Sequence, residues 1–319
     1  MANRLASVLT PVHETKLSLL ERAYKSVLKQ GLSEKDLEWV LLLHNCSVYY
    51  KKEVYERFGQ SGNILIREAD MSGTGLAFAR EKALKAASGE YLFFLDSDDE
   101  LSPKCVEKVV SAMDETCADT AVYSAWVQTG QLGFACFCDA DPKRGKLLLN
   151  KGDNRVGSTL CYSGAGLWTR ACRRSFLEEN GIGFDESRPN HITDPIFNFE
   201  VALSAERTVV LSSLVGYIYH YGIGMLLSDR KQAADDILSL CETYISDYKK
   251  RGLAADNLIW FFLRLYLFLA EGQKEDTSKM EGFCRAKGIA GVLAPPKMDW
   301  VYLQNGADRI YAEVMKRIG

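Results

Sequence analysis

The sequence predicts an α/β protein: a mostly parallel sheet with helices on both faces, followed by a helical extension. Two observations predict it. Over residues 1–128, apolar runs of strand length alternate with segments of helical spacing, the pattern of strand–helix–strand units. From residue 229 onward the patterning is helical to the end. With 319 residues, 47% of them hydrophobic, the chain can bury a sizeable core.

The elements follow in order. "LASVLTPV" (5–12) is a short buried-strand run. Residues 14–30 then have helical spacing, with Leu17, Leu20, Ala23, Tyr24, Val27 and Leu28 on one face. "LEWVLLLH" (37–44) is a second strand and 48–58 a second helix. "NILIRE" (63–68) is a third strand, and 76–88 a third helix stopped by Gly89. "YLFFLD" (91–96) is a fourth strand, after which Pro103 opens a helix to about Cys117, capped by Ser102. "DTAVYSAWVQ" (119–128) is a fifth strand. From 129 to 166 periodicity weakens and glycines and lysines are frequent, so loops and short strands are expected. Helices follow near 169–180 and 194–205, then strands "RTVVLSS" (207–213) and "VGYIYHY" (215–221). The expected division is 1–228, with halves 1–128 and 129–228, and a helical region 229–319.

Net charge is −3 and no basic run stands out beyond Lys249, Lys250 and Arg251, so nothing here favours nucleic acid. Nine cysteines lack a metal or disulfide spacing and read as reduced thiols. The N-terminal apolar stretch is short and broken by Pro11, which is read as no signal peptide and a cytoplasmic location. "NLIWFFLRLYLFLA" (257–270) is too short, and interrupted by Arg264, to span a bilayer; a buried helix or a peripheral membrane contact is expected there.

In open α/β sheets ligands bind beyond the carboxyl ends of the strands. Asp96, Asp98 and Asp99 stand at such an end, as do His13-Glu14 and His44-Asn45. A calcium loop counted from Asp96 would need glycine where Leu101 stands. A phosphate-accepting aspartate, an Asp-x-Asp pair holding a divalent cation against a diphosphate, and a plain strand end entering a helix all remain open on spacing alone.

The surroundings narrow this. "SGTGLAFAREKALKAASGEYLFFLDSDDELSP" (72–103) resembles the family 2 glycosyltransferases of GT-A fold, through Ala79-Arg80, Gly89, Tyr91, Asp96-Ser97-Asp98-Asp99 and Pro103. "ASVLTPVHE" (6–14) resembles their first strand and nucleotide turn. "LWTRACRRSFLEENGIGFDE" (167–186) and "TDPIFNFEVALSAERTVVLSSLVGYIYH" (193–220) resemble their acceptor-side segments. The resemblance spans roughly residues 5–221. It implies a metal-dependent, inverting transfer of a sugar from a nucleotide-diphosphate donor, UDP-linked by preference, to a saccharide or lipid-linked acceptor, in the setting of bacterial surface polysaccharide. It implies Asp98 as ligand of Mn2+ or Mg2+, with His220 as a further candidate, and Asp194 as general base. Pro11, His13, Glu14, His44, Asn45, Arg80, Asp96 and Ser97 fall to the nucleotide, and Trp168 and His191 to the acceptor. Two departures stand out: His44-Asn45 replaces the acids that read uracil, and Thr193-Asp194 replaces a Glu-Asp pair. The rivals are a nucleotidyltransferase, which would want a glycine-rich loop after the first strand where "LTPVHETKLS" has none, and a non-catalytic sugar-nucleotide binder.

Overall fold

The computed structural model describes residues 4–70, 75–136, 138, 143–153, 166–186, 193–220, 230–250 and 278–287. The first half alternates strand and helix: β1 (Ala6–Val12), α1 (Leu17–Val27), β2 (Leu37–His44), α2 (Val48–Phe58), β3 (Ile64–Ala69), α3 (Leu76–Ala86) and β4 (Tyr91–Phe94). There follow β5 (Glu100–Leu101), α4 (Cys105–Thr116), β6 (Thr120–Thr129), β7 (Leu132–Cys136) and β8 (Lys146–Asn150). A 3-10 turn (Leu167–Thr169) leads into β9 (Arg170–Arg173), α5 (Arg174–Asn180), α6 (Thr193–Ser204) and β10 (Arg207–His220). Two helices, α7 (Arg230–Lys250) and α8 (Ser278–Lys287), are described in the C-terminal region, tied by the Lys279–Asp235 ion pair at 2.8 Å.

One sheet runs through the molecule in the order β3-β2-β1-β4-β9-β6-β10-β5, with β7 on β6 and β8 on β10. Strands β3, β2, β1 and β4 pair in parallel, as do β6 and β10, while β9 runs antiparallel between β4 and β6. Every residue of β2 and β4 is buried, because helices cover both faces and leave no solvent side for polar residues. One apolar layer lies under α1, α2 and α4, with Trp39, Tyr91 and Tyr123 at its centre; the other lies under α3, α5 and α6. Pro11 is tolerated inside β1 because it sits beyond the last β1–β4 pair, Leu9–Phe94, where no ladder bond is asked of its nitrogen.

Three local expectations are corrected. Residues 169–180 are not one helix: β9 precedes α5, and its Arg170 is fully buried, so the segment lacks the apolar run that marks a strand. The two strands expected at 207–213 and 215–221 are one strand, β10, whose register slips between Leu211 and Tyr217. Ser102 does not cap α4. Its amide bonds the Gly216 carbonyl instead, and Lys104, in left-handed conformation (φ 60°), precedes the helix. The buried Gln30 carboxamide accepts the Val106 amide in place of a cap.

Candidate active site

The carboxyl ends of β1, β2, β3 and β4 open on one side of the sheet, and β10 reaches the same region through β5. There the chain turns sharply twice on non-glycine residues in left-handed conformation, Glu14 after β1 (φ 49°) and Asn45 after β2 (φ 49°). Each turn is held by side chains. Glu14 accepts the Ser47 amide at 2.8 Å, which lowers its pKa and seats the α2 N-terminus against β1. His13 Nδ1 donates to the His44 carbonyl at 2.9 Å, so the proton sits on that nitrogen. Burial, with His13 beside it, lowers the His44 pKa; the imidazole is neutral and its Nε2 faces the Asn45 amide group at 3.1 Å. The Asn45 backbone amide donates to Asp70 at 2.9 Å, and Asp70 also pairs with Lys51. Asp70, just past β3, thus supplies a carboxylate beside the turn where His44-Asn45 lacks one. Sequence reading missed it; an acid directly after a parallel strand was the available signal.

The aspartate cluster follows β4. Asp96 and Asp98 are partly exposed, while Ser97 and Asp99 are buried. Ser97 meets the Thr15 hydroxyl at 2.5 Å, which binds the cluster to the turn after β1. Burial, reinforced by the Asp96 carboxylate, pushes Asp98 up to about 6 and Asp99 up to about 8. Asp99 is nonetheless ordered by two donors from β10, the Tyr217 hydroxyl at 2.8 Å and the His220 amide at 2.7 Å. The Tyr217 oxygen in turn accepts the Asp96 amide at 3.1 Å. Tyr217 therefore spans the loop from Asp96 to Asp99, a role the sequence did not signal.

Arg80, buried on α3, joins this cluster to the acceptor-side segments. Its guanidinium pairs with Asp96 at 3.2 Å and, more closely, with Asp194 on the first turn of α6. Asp194 Oδ1 also takes the Thr193 hydroxyl at 3.1 Å, whereas Oδ2 has the Leu167 amide at 3.5 Å. Oδ2 is thus the less tightly held of the two oxygens. Asp194 lies inside the helix and its side chain turns to Arg80, so helix capping does not account for it.

Other expected residues are placed differently. His220 ends β10 as expected, but its Nε2 is engaged by Glu100 at 2.9 Å, and Glu100 is also 3.5 Å from Arg22. The indole of Trp168 stacks on Tyr217 (4.8 Å) and Tyr219 (5.4 Å), which gives it protein partners on β10. His191 and residues 257–270 lie outside the described residues.

The donor set suits a hard cation. Asp98 is a carboxylate raised by burial and by a like charge, which Arg22, hydrogen-bonded to its backbone carbonyl, offsets only in part. Among the described residues no group of three or more His, Cys, Asp or Glu side chains is set to hold a metal alone. A cation bound through one or two carboxylates and completed by substrate phosphates needs no such cage.

Comparison with known proteins decides the family. The model described as "Glycosyl transferase family 2" matches residues 7–173. The chain belongs to that family. It is 26% identical, over 66% of its length, to TarS of Staphylococcus aureus, a poly(ribitol-phosphate) beta-N-acetylglucosaminyltransferase, but spans only 35% of that protein. It is 24% identical, over 76% of its length and 69% of the other's, to EpsH of Bacillus subtilis, a putative glycosyltransferase. Its fold is similar to that of residues 1–349 of S. aureus TarS solved with UDP-GlcNAc (TM-score 0.64, 18% identity, 98% of this chain and 85% of that one). The structural likeness gives this family 2 chain the GT-A fold. Among the described residues no helix is long and apolar enough to cross a membrane.

Proposed function

We propose that this family 2 chain transfers a sugar from a nucleoside diphosphate donor to a hydroxyl of a saccharide or lipid-linked saccharide, with inversion, using Asp194 as general base and Asp98 to hold Mn2+ or Mg2+. The observation that carries this reading is Arg80, whose one guanidinium meets Asp96 of the aspartate cluster and Asp194 of the opposite wall. A metal-side carboxylate and a base-side carboxylate are thereby kept at one opening, as a single displacement requires.

The donor lies across the turns after β1, β2 and β3, with Asp96 beside the ribose and diphosphate. When bound, the cation offsets the charge that develops on the leaving diphosphate. The incoming hydroxyl attacks the anomeric carbon from the Asp194 side and passes its proton to Oδ2 as the bond to the diphosphate breaks. Arg80 and Thr193 hold Oδ1 meanwhile. One displacement with one base inverts the anomeric centre. UDP is the favoured carrier, supported by the TarS structure solved with UDP-GlcNAc; with neutral His44 in place of an acid, Asp70 is the candidate to read the base. Metal binding by this chain is tested by thermal shift with nucleoside diphosphates and manganese, since tight binding stabilises by mass action. Asp98→Ala is expected to abolish the manganese-dependent shift with UDP while melting as wild type does without ligand. A manganese-dependent shift that survives in Asp98→Ala contradicts the metal assignment.

A further inference from the structure

Arg170 on β9 is a guanidinium at 1% exposure with no carboxylate partner among the described residues. A buried charge without a counter-charge is costly, so its hydrogen bonds indicate what it serves. Its Nε donates to Asn198 Oδ1 at 3.1 Å, its Nη1 lies 3.4 Å from the Thr120 hydroxyl, and its Nη2 is buried without a partner. Asn198 is also 1% exposed and sits on α6 four residues after Asp194, so the two share one helix face. The Asn198 Nδ2 donates to the Gly166 carbonyl at 3.1 Å. Gly166 opens the turn whose next amide, that of Leu167, faces Asp194 Oδ2 at 3.5 Å. The turn is fixed from its other side too: a side chain at Gly166 would lie 2.4 Å from the Trp168 indole, which is stacked on β10.

We infer that Arg170 and Asn198 are positioning residues for the catalytic carboxylate: Arg170 orients Asn198, Asn198 holds the Gly166–Leu167 turn, and the Leu167 amide aims Asp194 Oδ2 at the acceptor hydroxyl. This rests on the reading of Asp194 as the base. Arg80 holds one carboxylate oxygen from the donor side, and the Leu167 amide approaches the other at 3.5 Å from the sheet side. A rigid relay from the central sheet explains why an arginine is buried between β4 and β6 where an aliphatic residue would pack.

A double-mutant cycle in the full chain tests it. Asn198→Ala removes the bonds to Arg170 and to the Gly166 carbonyl. Asn198→Asp keeps the acceptor for Arg170 but sets an oxygen against the Gly166 carbonyl, and serves if the alanine variant folds poorly. Either is expected to lower kcat about 10- to 100-fold at unchanged donor affinity, the usual effect of losing a group that orients a ligand or catalytic side chain. In an Asp194→Asn background the same substitutions are expected to add less than about twofold, because their effect runs through a carboxylate already gone. Folded Asn198 variants with near wild-type kcat, or losses that multiply in full with Asp194→Asn, overturn the positioning role. Asp194→Asn that turns over as wild type overturns the base assignment itself, and the relay with it. The single variant and the cycle therefore separate the two failures.

Discussion

Arg80 is where the aspartate cluster and the opposite wall meet. Lysine would keep its charge but not the fork that reaches two carboxylates at once. Arg80→Lys is therefore expected to lower turnover by about 10- to 100-fold, as loss of an orienting partner does, in steady-state kinetics of the folded variant. Asp98 and Asp99 are both raised by burial. Asp98 must lose its proton to hold a cation, so with its pKa raised to about 6 the manganese affinity of the nucleotide complex falls as pH drops below about 6, by up to about tenfold per unit, and is flat above it. Calorimetry between pH 5 and 7.5 reads this slope, and a pH-independent affinity contradicts it. For Asp99 the sign of the stability effect is set by its raised pKa of about 8. The native protein keeps a proton that the unfolded chain releases near pH 4, so without metal stability declines as pH rises from about 4 to about 8. Asp99→Asn should flatten that decline in urea titrations; an unchanged slope assigns it elsewhere.

At the scale of elements, Gly89 shows packing behind a motif residue. A side chain there would lie 2.5 Å from the Ser7 backbone nitrogen and 2.6 Å from the Ala6 carbonyl carbon, neither of which can yield. Gly89→Ala is expected to cost at least about 2 kcal/mol, within the range for forced overpacking, measured by urea unfolding; a loss below measurement error contradicts the close approach. Of the first four strands, β2 and β4 were the plainest in the sequence because burial on both faces makes them almost continuously apolar, as in "LEWVLLLH" and "YLFF", whereas the partly exposed edge strand β3 showed only its short "ILI" run. The antiparallel β9 was not legible, since its four residues begin and end on arginine and leave only Ala171 and Cys172 between Arg170 and Arg173. The bulge in β10 was equally hidden, although Gly216 marks it: a side chain there would strike Tyr123 and Cys105. Site residues were legible where they end strands, as with Asp96, His44 and His220. The Arg80–Asp194 and Tyr217–Asp99 pairs were not, because they join residues 114 and 118 positions apart, and no local pattern encodes such pairs.

Across the molecule, one sheet carries two sets of groups to the same opening: the turns after β1 to β3 with the aspartate cluster after β4, and Asp194 on α6 behind Arg80. On the proposed mechanism these act together, with Asp194 as the base of sugar transfer. It is tested most directly by comparing wild type with Asp194→Asn for UDP release from a panel of UDP-sugars, with manganese and a mixture of saccharide acceptors, beside donor affinity by calorimetry. Asparagine conserves size and one acceptor oxygen for Arg80, but it is uncharged and does not take up the proton. The expected result is a folded variant with unchanged donor affinity and turnover lower by about 10²- to 10⁴-fold, the usual share of general base catalysis. Turnover by Asp194→Asn at the wild-type rate would contradict it.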